Sequence, residues 1–135
     1  MRKMLTAIAL IALTGCSTHP VSEEEASPVP AERIYATQDV QTENAEVVFV
    51  RDGGAYGSVC EHNVYVNNTK AFTIEAGEII RLKLKPGPYL FRLDTGGGLC
   101  PSISTSQDAE LKPGSKLAYR ILIPSDGSLR LTRIR

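Results

Sequence analysis

Tryptophan is absent from this sequence of 135 residues, and there are only three cysteines and two histidines. Fifteen basic and fifteen acidic side chains cancel, so the chain lacks the strongly basic surface typical of nucleic-acid-binding proteins. Its longest apolar stretch, Met4 to Leu13, spans 10 residues, whereas a membrane-spanning helix needs roughly 18 or more. The composition therefore argues against a nucleic-acid partner and a transmembrane helix. The length of the chain suits one domain.

The amino terminus has the three parts of a secretory signal peptide. Arg2 and Lys3 are basic, Met4 to Leu13 are mainly apolar, and small residues precede Cys16. The sequence Leu13-Thr14-Gly15-Cys16 resembles a bacterial lipobox. This resemblance implies that residues 1–15 are removed and that Cys16 is lipidated on its sulfur and acylated on its new amino group. Ser17, in place of aspartate, then implies sorting to the outer membrane of a Gram-negative host. The alternative is an ordinary signal peptide with an incidental cysteine.

Residues 16–44 are predicted to be a flexible, acidic, proline-containing tether. From Ser17 to Asn44 there are six acidic residues and one basic residue, whereas residues 45–135 hold 12 basic and 9 acidic residues. The net charges are therefore −5 and +3. The tether has almost no apolar periodicity, so it offers little surface whose burial would offset the entropy lost on ordering. A docking motif for a partner is the alternative.

From Ala45 onward the pattern predicts an all-β fold, a single small antiparallel β-sandwich over residues 45–135. Glu46 to Val50 is typical of a strand buried on both faces, and Leu117 to Ile123 alternates cleanly. Short strand-like runs are separated by turn residues, as in sandwiches and barrels. Two similar segments, Leu84-Lys85-Pro86-Gly87 and Leu111-Lys112-Pro113-Gly114, each precede an apolar strand. Proline followed by glycine suits a type II turn.

A second resemblance lies within this domain. Val64-Tyr65-Val66-Asn67-Asn68, followed by Leu84-Lys85-Pro86-Gly87-Pro88-Tyr89-Leu90, resembles the PEGA-like pattern of a strand, a tight turn, and a later proline-glycine before a hydrophobic strand. Residues 45–134 are also similar to small β-rich bacterial lipoproteins of a domain-of-unknown-function family. The resemblance implies a compact β-sandwich in the cell envelope and no catalytic residues.

Cys60 and Cys100 remain once Cys16 is assigned to lipidation. In an exported protein such a pair is expected to form a disulfide. A zinc site with His62 is the alternative, but no fourth ligand is evident. Ser58, His62 and Asp94 hold the residue types of a catalytic triad without any supporting motif. The Gly96–Gly98 run lacks the lysine and helix of a phosphate-binding loop. We therefore expect no cofactor, no metal and no catalytic residues.

A basic row is the remaining candidate for a binding surface. Arg81, Lys83 and Lys85 share one side of a predicted strand, and Arg92 lies on the strand that follows, with Arg130 as a further candidate. Such a row suits an anionic envelope polymer or lipid phosphate. The alternative is a solvated sheet face whose lysines discourage aggregation.

Together these patterns predict an envelope lipoprotein anchored in a membrane through Cys16, with its sandwich serving as a binding or structural module. Its expected partners are the membrane and an anionic envelope polymer or another envelope protein. An enzyme acting on cell-wall material, or an accessory subunit of an envelope assembly, is the alternative function.

Overall fold

The computed structural model describes residues 18–36, 44–54, 58–96, 100–124 and 126–135. Two β-sheets face each other, which confirms the predicted all-β sandwich. The strands, in chain order, are β1 (Ser27–Pro28), β2 (Ala45–Arg51), β3 (Glu61–Val66), β4 (Thr69–Ile74), β5 (Glu78–Leu84), β6 (Gly87–Gly96), β7 (Ile103–Leu111), β8 (Lys116–Leu122) and β9 (Arg130–Arg133). One sheet has the order β1-β5-β2-β8-β9 and the other β4-β3-β6-β7. A short 3₁₀ turn spans Ala31–Arg33.

Neighbouring strands are antiparallel except in two places. β1 runs parallel to β5, and β2 runs parallel to β8. The β2–β8 pair places the carboxyl ends of both strands at the same end of the sandwich. We call this the disulfide end, because Cys60 and Cys100 also lie there, next to the start of β3 and ahead of β7.

The core between the sheets is built around Phe49 of β2. Its ring lies 5.3 Å from that of Phe72, 5.4 Å from that of Phe91 and 5.4 Å from that of Tyr119, centroid to centroid. All four side chains are almost completely buried. Tilted and offset aromatic contacts of this kind add to the stabilisation from burial alone. All three phenylalanines of the chain and one of its five tyrosines thus lie where the two sheets meet.

Turn chemistry explains how the chain reverses between strands. Asn67 and Asn68 both have positive φ, 48° and 66°, in the two-residue turn between β3 and β4, which suits asparagine. The Pro113-Gly114 turn is also as predicted: Gly114 has φ 75°, and the Ser115 amide donates to the Lys112 carbonyl at 3.0 Å.

The two proline-glycine segments do not form hairpins within one sheet. Pro86 lies between β5 and β6, and Pro113 lies between β7 and β8. In both cases the strands on either side belong to different sheets. Each segment therefore carries the chain across the sandwich from one layer to the other.

The amino-terminal segment is the main departure from expectation, because residues 18–36 are not a detached tether. Ser27 and Pro28 extend the first sheet beside β5, and Val29 is 6% exposed within the core. Ile34 then bridges to Phe72 of β4, at the edge of the other sheet. The segment closes one side of the sandwich by passing from sheet to sheet. The predicted tether also covers residues 37–43, which lie outside the described residues.

The same segment accounts for the apolar outer face of the first sheet. Val48, Val50, Ile79 and Ala118 are buried on that face, and Ala26 packs against them. Glu23 lies 3.0 Å from Arg81 of β5 and 3.2 Å from Arg135, carboxylate oxygen to guanidinium nitrogen. The prediction that the apolar run in β2 is buried on both faces is therefore correct. Residues of the predicted tether cover its outer face.

Candidate functional site

The predicted lipidation residue, Cys16, lies outside the described residues. The second cysteine prediction is confirmed, because Cys60 and Cys100 form a disulfide with their Cα atoms 5.7 Å apart. The bridge fixes the segment that enters β3 to the one that enters β7. Disulfides of this kind persist in oxidising compartments and are rare in the reducing cytosol.

A buried polar cluster lies directly behind the disulfide. Arg51, at the end of β2, is 4% exposed and donates to the Ile74 carbonyl at 2.9 Å and to the Cys60 carbonyl at 3.3 Å. His62 is fully buried, and its Nδ1–H donates to the same Cys60 carbonyl at 2.9 Å. Arg51 and His62 thus both bond the carbonyl that precedes β3, which ties the disulfide-bearing loop to both sheets.

Burial determines the charge states in this cluster. Burial, with a smaller contribution from the positive charge of Arg51, lowers the pKa of His62 to about 4. Burial also lowers the pKa of Arg51 to about 10, and Glu75 and Glu78 partly offset this effect. At neutral pH the imidazole is therefore neutral and the guanidinium charged. His62 Nε2 has no hydrogen-bond partner within the described part of the chain.

The structure does not assemble the residue types that nominally suggest a catalytic triad. His62 faces the core, whereas Asp94 lies on the outer surface of the second sheet, where it accepts a 2.6 Å hydrogen bond from Ser104. Nor is a zinc site formed there, because both cysteine sulfurs are consumed in the disulfide. Within the described ranges, no group of three or more histidine, cysteine, aspartate or glutamate side chains could hold a metal ion.

The four residues of the predicted basic row do not form one surface. Arg81 and Lys83 lie on the outer face of the first sheet, and Lys85 is exposed just after β5. Arg92 lies on β6, between the buried Phe91 and Leu93, and so on the outer face of the opposite sheet. The row is divided because the Pro86-Gly87 segment crosses between the layers.

Acidic neighbours also offset the charge of this row. Lys83 donates to Glu46 at 2.7 Å, and Arg81 pairs with Glu23. Arg92 lies 3.2 Å from the Asp94 carboxylate and stacks over the Tyr65 ring, its guanidinium carbon 4.2 Å from the centroid. The cationic surface is therefore smaller than the sequence predicts. Arg130 pairs with Asp126 at 3.4 Å, near the disulfide end.

The described chain begins at the disulfide end, in contact with the sandwich. The Thr18 hydroxyl donates to the Ile123 carbonyl at 3.3 Å, after the end of β8. His19 and Gly53 exchange backbone hydrogen bonds of 2.9 and 3.0 Å. A Cβ atom on Gly53 would lie 2.6 Å from Nε2 of the exposed His19 ring, so a larger residue there would require the ring to move. Val59, in the disulfide loop of the same end, is 89% exposed.

No protein-family model matches the sequence, and no curated protein matches it significantly. The described residues contain no helix that is long and apolar enough to cross a membrane.

Proposed function

We propose that this protein is a lipid-anchored lipoprotein of the bacterial cell envelope, in the outer membrane of a Gram-negative host. Its β-sandwich serves as a binding or structural module held close to the lipid surface. Two features support the envelope assignment: the lipobox-like Leu13-Thr14-Gly15-Cys16 and a disulfide suited to an oxidising compartment. The PEGA-like segments agree with it.

The observation that carries the proposal is a contact between Thr18 and the disulfide end of the sandwich. Thr18 bonds Ile123 at the disulfide end, and Cys16 precedes Thr18 by two residues. Two residues of fully extended chain span at most about 7 Å. An acylated Cys16 would therefore hold the disulfide end at the membrane surface, without a long flexible linker between them. The exposed Val59 side chain is at this end, where contact with lipid would cover it.

The first test is removal of the anchor. Acyl chains contribute roughly 0.8 kcal/mol per buried methylene, and two or more chains hold a protein stably on a membrane. The change Cys16→Ala should release the protein from the membrane fraction and remove the mass of the acyl groups. Unchanged mass and unchanged membrane binding would contradict the proposal.

The second test measures which end faces the lipid. A fluorophore is attached at Asp126→Cys, beside the disulfide end, or at Lys112→Cys, before β8; both positions are exposed. β8 has 7 residues, which corresponds to about 20 Å. Nitroxide lipids in vesicles should quench the label at position 126 more strongly than the label at position 112. Equal quenching of lipidated protein would show that the anchor is present but the sandwich is not held at the surface.

A further inference from the structure

Most edges of the two sheets are short, charged or covered. β1 pairs with the first residues of β5, whose exposed Arg81 and Lys83 lie further along. β9 has only 4 residues, two of them arginine. Along β4, the Tyr35 amide donates to the Ala71 carbonyl at 2.8 Å. Coverage, short length and basic side chains are the usual means of preventing strand addition at an edge.

The outer edge of β7 is long, carries no basic side chain and has two acidic ones, Asp108 and Glu110. β7 runs for 9 residues, Ile103–Leu111, and contains no proline, lysine or arginine. It pairs with β6 in unbroken register from Ile103 to Leu111. In the order of the second sheet it has no neighbour on its other side within the described chain. An edge of this length and regularity is a template for another strand.

The register of β6 shows which backbone groups of β7 point outward. The Asn67 amide donates to the Leu90 carbonyl and the Leu90 amide donates to Asn67 Oδ1, both at 2.9 Å, so the Leu90 backbone faces β3. Backbone direction alternates along an antiparallel strand, so Phe91 faces β7 and its partner Gln107 faces β6. The residues whose amide and carbonyl groups point away from the sheet are therefore Ser104, Ser106, Asp108 and Glu110.

We propose that this edge binds the same edge of a second copy of the chain. The two β7 strands run antiparallel about a two-fold axis, with Gln107 opposite the partner's Gln107. Pairing of the two edges does not require lipidation of Cys16. The result is a sheet continuous across both copies, with all four outward-facing residues of each strand joined by about eight backbone hydrogen bonds.

The charges of β7 select this register. With Gln107 on the axis, Asp108 lies opposite the partner's Ser106, and Glu110 lies opposite the partner's Ser104. Each carboxylate then meets a hydroxyl, although that of Ser104 already bonds Asp94. Moving the axis to Asp108 would place two aspartates directly opposite each other, which is destabilising in a sheet. Moving it to Ser106 would leave Glu110 beyond the partner strand and lose part of the ladder.

Cysteine crosslinking in intact cells that express the full chain tests the proposal. Gln107 is exposed, and residues in a directly opposed non-hydrogen-bonded pair have Cα atoms about 4.5 Å apart. Gln107→Cys should therefore give a disulfide-linked dimer on mild oxidation. Thr105→Cys is the matched control on the same face, because its two copies would be separated by about 13 Å along the strands. We expect roughly tenfold more dimer at position 107 than at position 105, given the narrow geometry of disulfides.

A second variant distinguishes strand pairing from chance collision. The Ser106 amide points away from β6, so Ser106→Pro leaves the ladder within the protomer intact while removing a donor from the outer edge. Added to Gln107→Cys, it should abolish crosslinking without lowering the melting temperature. Equal crosslinking at positions 105 and 107, no dimer at position 107, or a dimer that survives Ser106→Pro would each overturn the proposal. A crosslink to a different protein, identified by mass, would also overturn it in favour of a foreign strand.

Discussion

The role of the amino-terminal segment can be tested by changing one residue, Val29. Its side chain is 6% exposed among the core residues between the sheets. Burying a valine side chain contributes roughly 1.5–3 kcal/mol, and a buried serine hydroxyl without a partner costs about 1–3 kcal/mol more. Because the cavity can partly fill with water, we expect Val29→Ser to lower the free energy of unfolding by about 2–4 kcal/mol. The neighbouring Ser27→Ala, an exposed side chain, should change it by less than about 0.5 kcal/mol.

The assay is thermal unfolding of the full mature chain, followed by circular dichroism. For a domain of this size, each kcal/mol shifts the midpoint by roughly 3–6 °C, so Val29→Ser should lower it by about 6–24 °C. The midpoint of Ser27→Ala should remain within about 3 °C of the parent. If the two variants unfold together, residues 18–36 do not stabilise the sandwich, and the segment is a tether after all.

Three further results are expected. Replacing both Cys60 and Cys100 with alanine should cost about 4 kcal/mol by the loop-entropy estimate for a separation of 40 residues, measured as a loss in denaturant midpoint. Burial lowers the pKa of His62 to about 4, so between about pH 6.5 and 4 this imidazole is protonated in the unfolded chain but not in the folded one. The free energy of unfolding should therefore fall by on the order of 3 kcal/mol as the pH is lowered across that range. In His62→Gln this contribution to the pH dependence should be absent. Glu23→Gln should cost below about 1 kcal/mol yet speed proteolysis near residues 18–26, whereas Glu24→Gln should not.

Much of the fold can be predicted from the sequence because side-chain alternation within a strand is a local property. The alternation in β8 and the continuous apolar run of β2 both identify buried strands, and both are confirmed. The disulfide can be predicted for a different reason: only two cysteines remain once Cys16 is assigned to lipidation. These predictions need no knowledge of which strand lies beside which.

The predicted basic row shows where local patterns cease to be sufficient. Alternation correctly places Arg81 and Lys83 on one face of β5, but it does not tell which sheet the next strand joins. The Pro86-Gly87 segment resembles a hairpin turn, yet the chain crosses to the opposite layer there, and Arg92 faces away from the other residues. The choice between hairpin and crossover is made by packing of the two layers, which a short motif does not encode.

The contacts of residues 18–36 with the sandwich cannot be predicted from local patterns for a related reason, because these contacts are single and widely spaced. Val29 fills the core, Ala26 covers the outer face, and Arg33 donates to Glu78 at 2.8 Å. None of these produces a periodic pattern. The one sequence signal for these contacts is the charge difference between an acidic amino-terminal segment and a basic domain. In the structure, Glu23 of the segment forms ion pairs with Arg81 and Arg135 of the domain.

These contacts connect anchoring with folding. If Cys16 carries the lipid, the segment just after it contacts the sandwich at Thr18 and covers part of the outer face of the first sheet through Ala26. Moving the domain away from the membrane would require this segment to detach from the sheet. Detachment exposes buried apolar surface, at a free-energy cost of roughly 25 cal/mol per Å². The distance of the sandwich from the lipid is therefore set by the stability of the fold rather than by the length of a flexible linker. Weakening the segment at Val29 should accordingly both lower the melting temperature and reduce quenching of a label at position 126 by nitroxide lipids.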